Sequence, residues 1–177
     1  MKKENIIIIG VVLLSSILVF GFSLLGEKKE TKEEDRLERP LLGEKVEEMK
    51  SSHIALEDVH EPYNSNPPTS GPHTGNDVAG AGIKDSPVPD EIVVHSLEHG
   101  AVVLWYREDL KQEDVEKLRQ IFVGASGKKI MMPRQNMETP IALTSWNYIL
   151  KLETIDEDII KEFIETNNDR APEKAPI

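Results

Sequence analysis

Apolar and polar positions fall into four stretches along the chain. From Ile6 to Leu25 the sequence is uncharged and mostly aliphatic. A helix of that length spans roughly 30 Å, the hydrocarbon thickness of a bilayer. A cleaved export signal has a shorter apolar core, about 7–15 residues, and a small-x-small cleavage site. Leu24-Leu25-Gly26-Glu27 is a poor site of that kind, so residues 1–26 are expected to form a retained anchor. Residues 27–52 alternate Glu and Lys with few apolar positions and no aromatics, which predicts a solvated polar stalk. Apolar periodicity returns over 53–166, the expected globular domain, and 167–177 reads as a polar tail.

Within 53–166 the pattern predicts a small α+β domain. Val59 to Val88 is dense in turn formers and reads as a long Pro-rich loop. Asp90 to His99 predicts a short helix with Asp90 as cap and Gly100 as terminator. Ala101 to Tyr106 is an unbroken apolar run, the mark of a strand buried on both faces. Val115, Leu118, Ile121, Phe122 and Ala125 recur at helical spacing, giving an amphipathic helix over about Lys111 to Ala125. Lys129 to Met132 is a strand stopped by Pro133. Ile141 to Leu150 alternates with one slip of phase, which suits a strand bulged near Thr144. Thr154-Ile-Asp-Glu157 matches a capping box opening a helix that turns Ile159, Ile160, Phe163 and Ile164 inward. Short strands interspersed with two or three helices predict a mainly antiparallel sheet packed by those helices.

Composition sharpens this picture. The 177 residues carry a formal net charge of −11, the wrong sign for a nucleic-acid binder. The chain has no cysteine, which removes disulfides, iron–sulfur clusters, a Cys nucleophile and a lipoprotein anchor. Lys2 and Lys3 precede the apolar segment, whereas Lys28, Lys29, Lys32, Arg36 and Arg39 follow it. A short basic leader before a long apolar core is typical of export signals. The expectation is therefore a single-pass protein of the cell membrane with its C-terminal domain outside.

The candidate chemistry lies in the histidines. Three of the five occupy two motif-like stretches, His73 in Thr69-Ser-Gly-Pro-His73, and His95 and His99 in Val94-His-Ser-Leu-Glu-His-Gly100. On a helix, His95 and His99 share a face about 6 Å apart, and a loop-borne His73 makes a third donor. Neutral imidazoles suit copper or zinc, and His73, His95 and His99 are the expected ligands. Glu98 is a further ligand or an orienting carboxylate. Met132 and Met137 would add thioethers, favouring copper. His53 and His60 lie outside these stretches and read as ordinary exposed residues. The competing reading is a metal-free cell-envelope interaction module, its Pro-rich loop packed and held by the same histidines. Two enzyme readings are weaker. His95-x-x-Glu98-His99 matches an inverted zinc-peptidase motif, but Gly100 ends the helix at once. Ser70 lacks the nucleophile elbow of a serine hydrolase.

Tyr63-Asn-Ser-Asn-Pro-Pro-Thr-Ser-Gly-Pro-His73 and Val94-His-Ser-Leu-Glu-His-Gly-Ala-Val-Val-Leu-Trp-Tyr106 resemble the bacterial "domain of unknown function 3105" family, and Leu143-Thr-Ser-Trp146 matches a weaker third block. The resemblance runs from about Val59 to Trp146. It implies an N-terminal membrane anchor, as the chain's own apolar segment does, and carries no reaction with it. It marks Asn64, Pro67, Thr69, Ser70, Gly71, His73, His95, Glu98, His99 and Gly100 as motif positions.

Overall fold

The apolar run beginning at Ala101 lies in the middle of a sheet because protein covers that sheet on both faces. In a computed structural model of the chain, residues 33–177 are described. The elements are β1 (Glu44–Lys45), β2 (His53–Ile54), β3 (His73–Thr74), β4 (Gly82–Ile83), α1 (Asp90–Glu98), β5 (Val102–Arg107), α2 (Gln112–Gly124), β6 (Lys129–Arg134), β7 (Ile141–Ser145), β8 (Tyr148–Leu152) and α3 (Glu157–Asn167). Six of the strands form one sheet in the order β1-β8-β7-β5-β6-β4, and β2 pairs with β3 in a separate two-stranded sheet.

Alternation along β5 divides the core in two. Val102, Leu104 and Tyr106 face α2 and α3, packing with Leu118, Phe122, Ile160, Phe163 and Ile164. Val103 and Trp105 face the other way, toward Val93, Val94 and Leu97 of α1. Every residue of β5 except Arg107 is buried, as expected of a strand sandwiched between two layers.

The α+β class holds, with three corrections to the strands. The sheet is mixed: β5–β6 and β6–β4 are parallel, while β7–β5, β7–β8 and β1–β8 are antiparallel. The parallel half follows from α2, which carries the chain back over the sheet between β5 and β6. Pro133 does not stop β6, which runs on to Arg134. Beside Pro133 the β4 side is already free, since β4 reaches only Ile130 and Met131, so the missing N–H breaks no ladder there. The slip of phase after Leu143 is a hairpin rather than a bulge: Ser145 pairs with Tyr148, and Asn147 turns the chain at φ 61°.

The helices differ in detail. Asp156, not Thr154, caps α3, its carboxylate accepting from the Ile159 amide at 3.1 Å. Ile159 consequently points outward at 39% exposure, while Ile160, Phe163 and Ile164 are buried. Gly100 does terminate α1. At φ 86° it donates to Leu97 O, and Ala101 donates to Ser96 O, the paired bonds of a Schellman cap. A side chain at Gly100 would meet Asp169 Cα at 2.8 Å.

The boundaries also differ from the expected ones. Two units are separated at Pro40, so the second begins at Leu41 rather than His53. Residues 33–38 of the first unit are helical. In the second unit, Leu42 packs on the core and its amide donates to Asn167 Oδ1 at 2.9 Å, and β1 adds to the edge of β8. The polar tail is tied down as well: the Glu173 amide donates to Glu98 O and Ile177 packs against the α1 side of the core. The apolar segment Ile6–Leu25 lies outside the described residues. Among the described residues, no helix is long and apolar enough to cross a membrane.

Candidate metal centre

Pro67 to Thr74 is a loop by sequence but every residue of it is buried. Buried loops are rare because their backbone polar groups need partners. Here the partners come from the stretch read as a stalk. The Met49 amide donates to Ser70 Oγ at 3.1 Å, the His73 amide to Ser52 O at 3.0 Å, and Asn64 Nδ2 to Glu47 O at 2.7 Å. From the hairpin, the Asn147 amide donates to Thr69 O at 3.1 Å. Tyr63 donates its hydroxyl proton to Pro72 O at 2.7 Å. The Ser70 hydroxyl therefore serves as an acceptor for a backbone amide.

This docking places His53 opposite His73 in the parallel β2–β3 pair. The two rings lie 5.1 Å apart between centroids, His73 and His95 5.3 Å apart, and His95 and His99 4.4 Å apart. His53 and His95 are 6.0 Å apart, so these three imidazoles form a triangle, with His99 beside His95. Gly75 leaves room for the His53 ring, since a Cβ there would meet His53 Cγ and Nδ1 at 2.8 Å.

Three of the rings are oriented in the same way. His73 Nδ1 lies 2.8 Å from Gly71 O, His95 Nδ1 2.9 Å from Asp77 O, and His99 Nδ1 2.9 Å from Pro176 O. A carbonyl can only accept, so Nδ1 carries the proton in each case and a neutral ring offers its Nε2 lone pair. This is the arrangement that outer partners impose on metal-ligating histidines. Ser96 supports it by fixing the Asp77 segment: its hydroxyl accepts from the Ala79 amide at 2.8 Å.

His73 is wholly buried, and its Nε2 lies 2.9 Å from Glu98 Oε2. The contact is close but misaligned, and Nε2 has no hydrogen-bond partner. An unsatisfied buried nitrogen costs about 1–3 kcal/mol, so it demands an explanation. Among the described residues, one group of three metal-capable side chains converges: His53, His73 and Glu98, with ligand atoms all within 4.8 Å of one another. Tetrahedral zinc with bonds of about 2.0–2.2 Å holds its ligands about 3.4 Å apart, inside that span. The two nitrogens and one carboxylate therefore fit such an ion with little movement.

Of the residues expected from the sequence, His73 and Glu98 belong to this group. His95 and His99 lie next to it but outside it. His95 is 7% exposed, and burial pushes its imidazole below the ordinary value; His99 and His73 push the same way, against the Asp77 carbonyl and Glu98. His99 Nε2 is 3.3 Å from Glu173 of the tail. Met132 and Met137 are core residues packed with Val93, Leu97 and Trp105. His53 is exposed, as expected, but it is not without neighbours: pairing with β3 makes it a member of the group. Its only sequence signal was its residue type. His60 is not free in solvent either: its Nε2 lies 3.1 Å from Glu91 Oε1, and that bond raises its pKa above the usual value.

At the N-terminal end of α1, Arg134 grips both Asp90 oxygens, at 2.5 and 2.8 Å, and donates Nε to Asn66 Oδ1 at 2.7 Å. Asp90 is thus an anchor inside the helix and not its cap. The guanidinium also lies over the Trp105 ring, 5.0 Å from its centroid. One side chain joins the loop, the helix and the sheet.

Residues 56–176 match the model of a family described as "Protein of unknown function (DUF3105)", and the chain belongs to that family. No curated protein matches the chain. No solved structure matches it either.

Proposed function

We propose that this DUF3105 protein is a metal-binding domain held outside the cell membrane by its apolar segment Ile6–Leu25, and that His53, His73 and Glu98 ligate a divalent transition ion, zinc above copper. The observation that carries the reading is His73 Nε2, buried without a hydrogen-bond partner beside a carboxylate oxygen. A nitrogen and a carboxylate that point at a common space without bonding each other are satisfied together by a cation. Two nitrogens and an oxygen suit zinc with one position left open. The sulfur ligands that would prefer copper are committed to the core. Glu98 acts here as a ligand, which removes the free carboxylate that the peptidase motif requires as its base.

A second reading has its own support. The loop's hydrogen bonds to Glu47, Met49 and Ser52 involve no ion, so a metal-free interaction module with a buried His73–Glu98 ion pair accounts for the packing.

Metal analysis separates the two. The full chain, purified in mild detergent, stripped with chelator, reloaded with zinc and desalted, is expected to retain the ion at the inner group. Glu98→Gln and His53→Ala are each expected to lose one equivalent while keeping the near-ultraviolet circular dichroism of the two tryptophans. Retention of that equivalent by both variants, or no zinc on the parent chain, would overturn the metal reading.

A further inference from the structure

We infer that a second, outer divalent-metal position exists on the His99 side of the imidazole cluster, formed by His95 and His99 with Glu173 of the C-terminal tail. This rests on the same centre as the proposed function but uses none of its three ligands. His95 and His99 sit one helical turn apart at the end of α1, with ring centroids 4.4 Å apart. Both have Nδ1 committed to a backbone carbonyl, Asp77 O and Pro176 O, so both present Nε2. That orientation is what a bound ion needs, and the inner group does not use it.

The tail supplies the charge. Glu173 Oε2 is 3.3 Å from His99 Nε2, and the Glu173 amide donates to Glu98 O at 3.0 Å. The surrounding tail is pinned: Lys128 Nζ donates to Ala175 O at 2.8 Å and pairs with Asp169 at 2.5 Å. Glu173 keeps a half-exposed side chain, so the carboxylate can swing the short distance needed to meet an ion between the two rings. The resulting donor set is again two imidazoles and one carboxylate, which suits zinc or cobalt(II). In the inner group His73 and Glu98 are buried and His53 is exposed, and the outer position opens to water through Glu173.

Titration of the full chain in detergent with Zn²⁺, and separately with Co²⁺ followed by its visible absorption, tests this. Two equivalents are expected on the parent chain. His99→Gln and Glu173→Gln should each remove or weaken tenfold the second equivalent and leave the first, while Glu98→Gln should do the reverse. Glu173→Gln lies on an exposed side chain, so loss of folding will not confuse its result. A single equivalent lost only in Glu98→Gln would overturn the outer position and leave the inner reading intact. A single equivalent weakened by both His95→Gln and Glu98→Gln would also overturn it, making His95 the fourth ligand of one ion. A single equivalent lost only in His99→Gln and Glu173→Gln would support the outer position and sink the inner one. No bound ion in any form would sink both.

Discussion

The two faces of the central sheet are closed by opposite means. One is covered by α2 and α3, whose apolar stripes bury Leu118, Phe122, Phe163 and Ile164 against β5. The other is covered by α1 and a buried Pro-rich loop, which bring Thr69, Ser70, His73, His95, Ser96 and Glu98 into the interior. The first face is held by non-directional burial, which tolerates volume-conserving change. The second is held by directional bonds to buried polar groups, each of which is costly to leave unmade. A fold that isolates its polar cluster on one face can place donor atoms there without weakening the hydrophobic half that keeps the domain folded.

The comparison breaks most directly through Phe163. Phe163→Ala on the helical face is expected to cost about 3–5 kcal/mol in urea unfolding, and to leave zinc stoichiometry unchanged in the fraction that remains folded. A parallel loss of zinc would mean that the two faces are not independent. The loop face should respond to metal instead. Zinc at 100 times the dissociation constant of the inner group is expected to stabilise the parent chain through that group by about 2.7 kcal/mol, a contribution that Glu98→Gln loses, measured as the shift in the urea midpoint. A similar shift in both proteins would show that zinc binds elsewhere.

Two smaller effects refine the picture. Arg134→Lys keeps the charge but loses the two-pronged grip on Asp90, and is expected to cost about 1–2 kcal/mol. Restoration by Asp90→Glu in the same chain would show that reach, and not geometry, was lost. The smallest effect is at His60. Its pKa is raised in the folded protein by Glu91, so its contribution is fully present below the unfolded value near 6.5 and is lost as pH rises through the folded one. His60→Asn should therefore lower stability at pH 5.5 more than at pH 8.5. An equal deficit at both would show that the Glu91 contact does not discriminate between protonation states.

The same contrast explains what the sequence disclosed. Val115, Leu118, Ile121 and Phe122 repeat at helical spacing, and their helix appears as Gln112–Gly124. Periodicity reports a face buried in bulk, and the helical side of the sheet is built that way. The loop side has no period to read. Leu42, Met49 and His53 sit singly among Glu and Lys, so the segment looks solvated although it lines the site. What holds it is a set of bonds to residues far along the chain, such as Met49 to Ser70 and Asn64 to Glu47. His73 and Glu98 were legible because they stand in dense motifs. Their partner His53 was not, because its place depends on the two-residue pairing of β2 with β3. The hairpin at Asn147 was hidden for a related reason: a two-residue turn that carries no glycine mimics a slip of phase.

Both margins of the main sheet end in strands of only two residues, Glu44–Lys45 and Gly82–Ile83. An incoming chain seeking to pair with either rim strand would find only two residues to bond to, and at the β1 margin it would meet a charged pair. At high local concentration, open strand edges lead to aggregation. In this protein the short rims deny that route, so its polar interior does not come at the cost of a sticky perimeter.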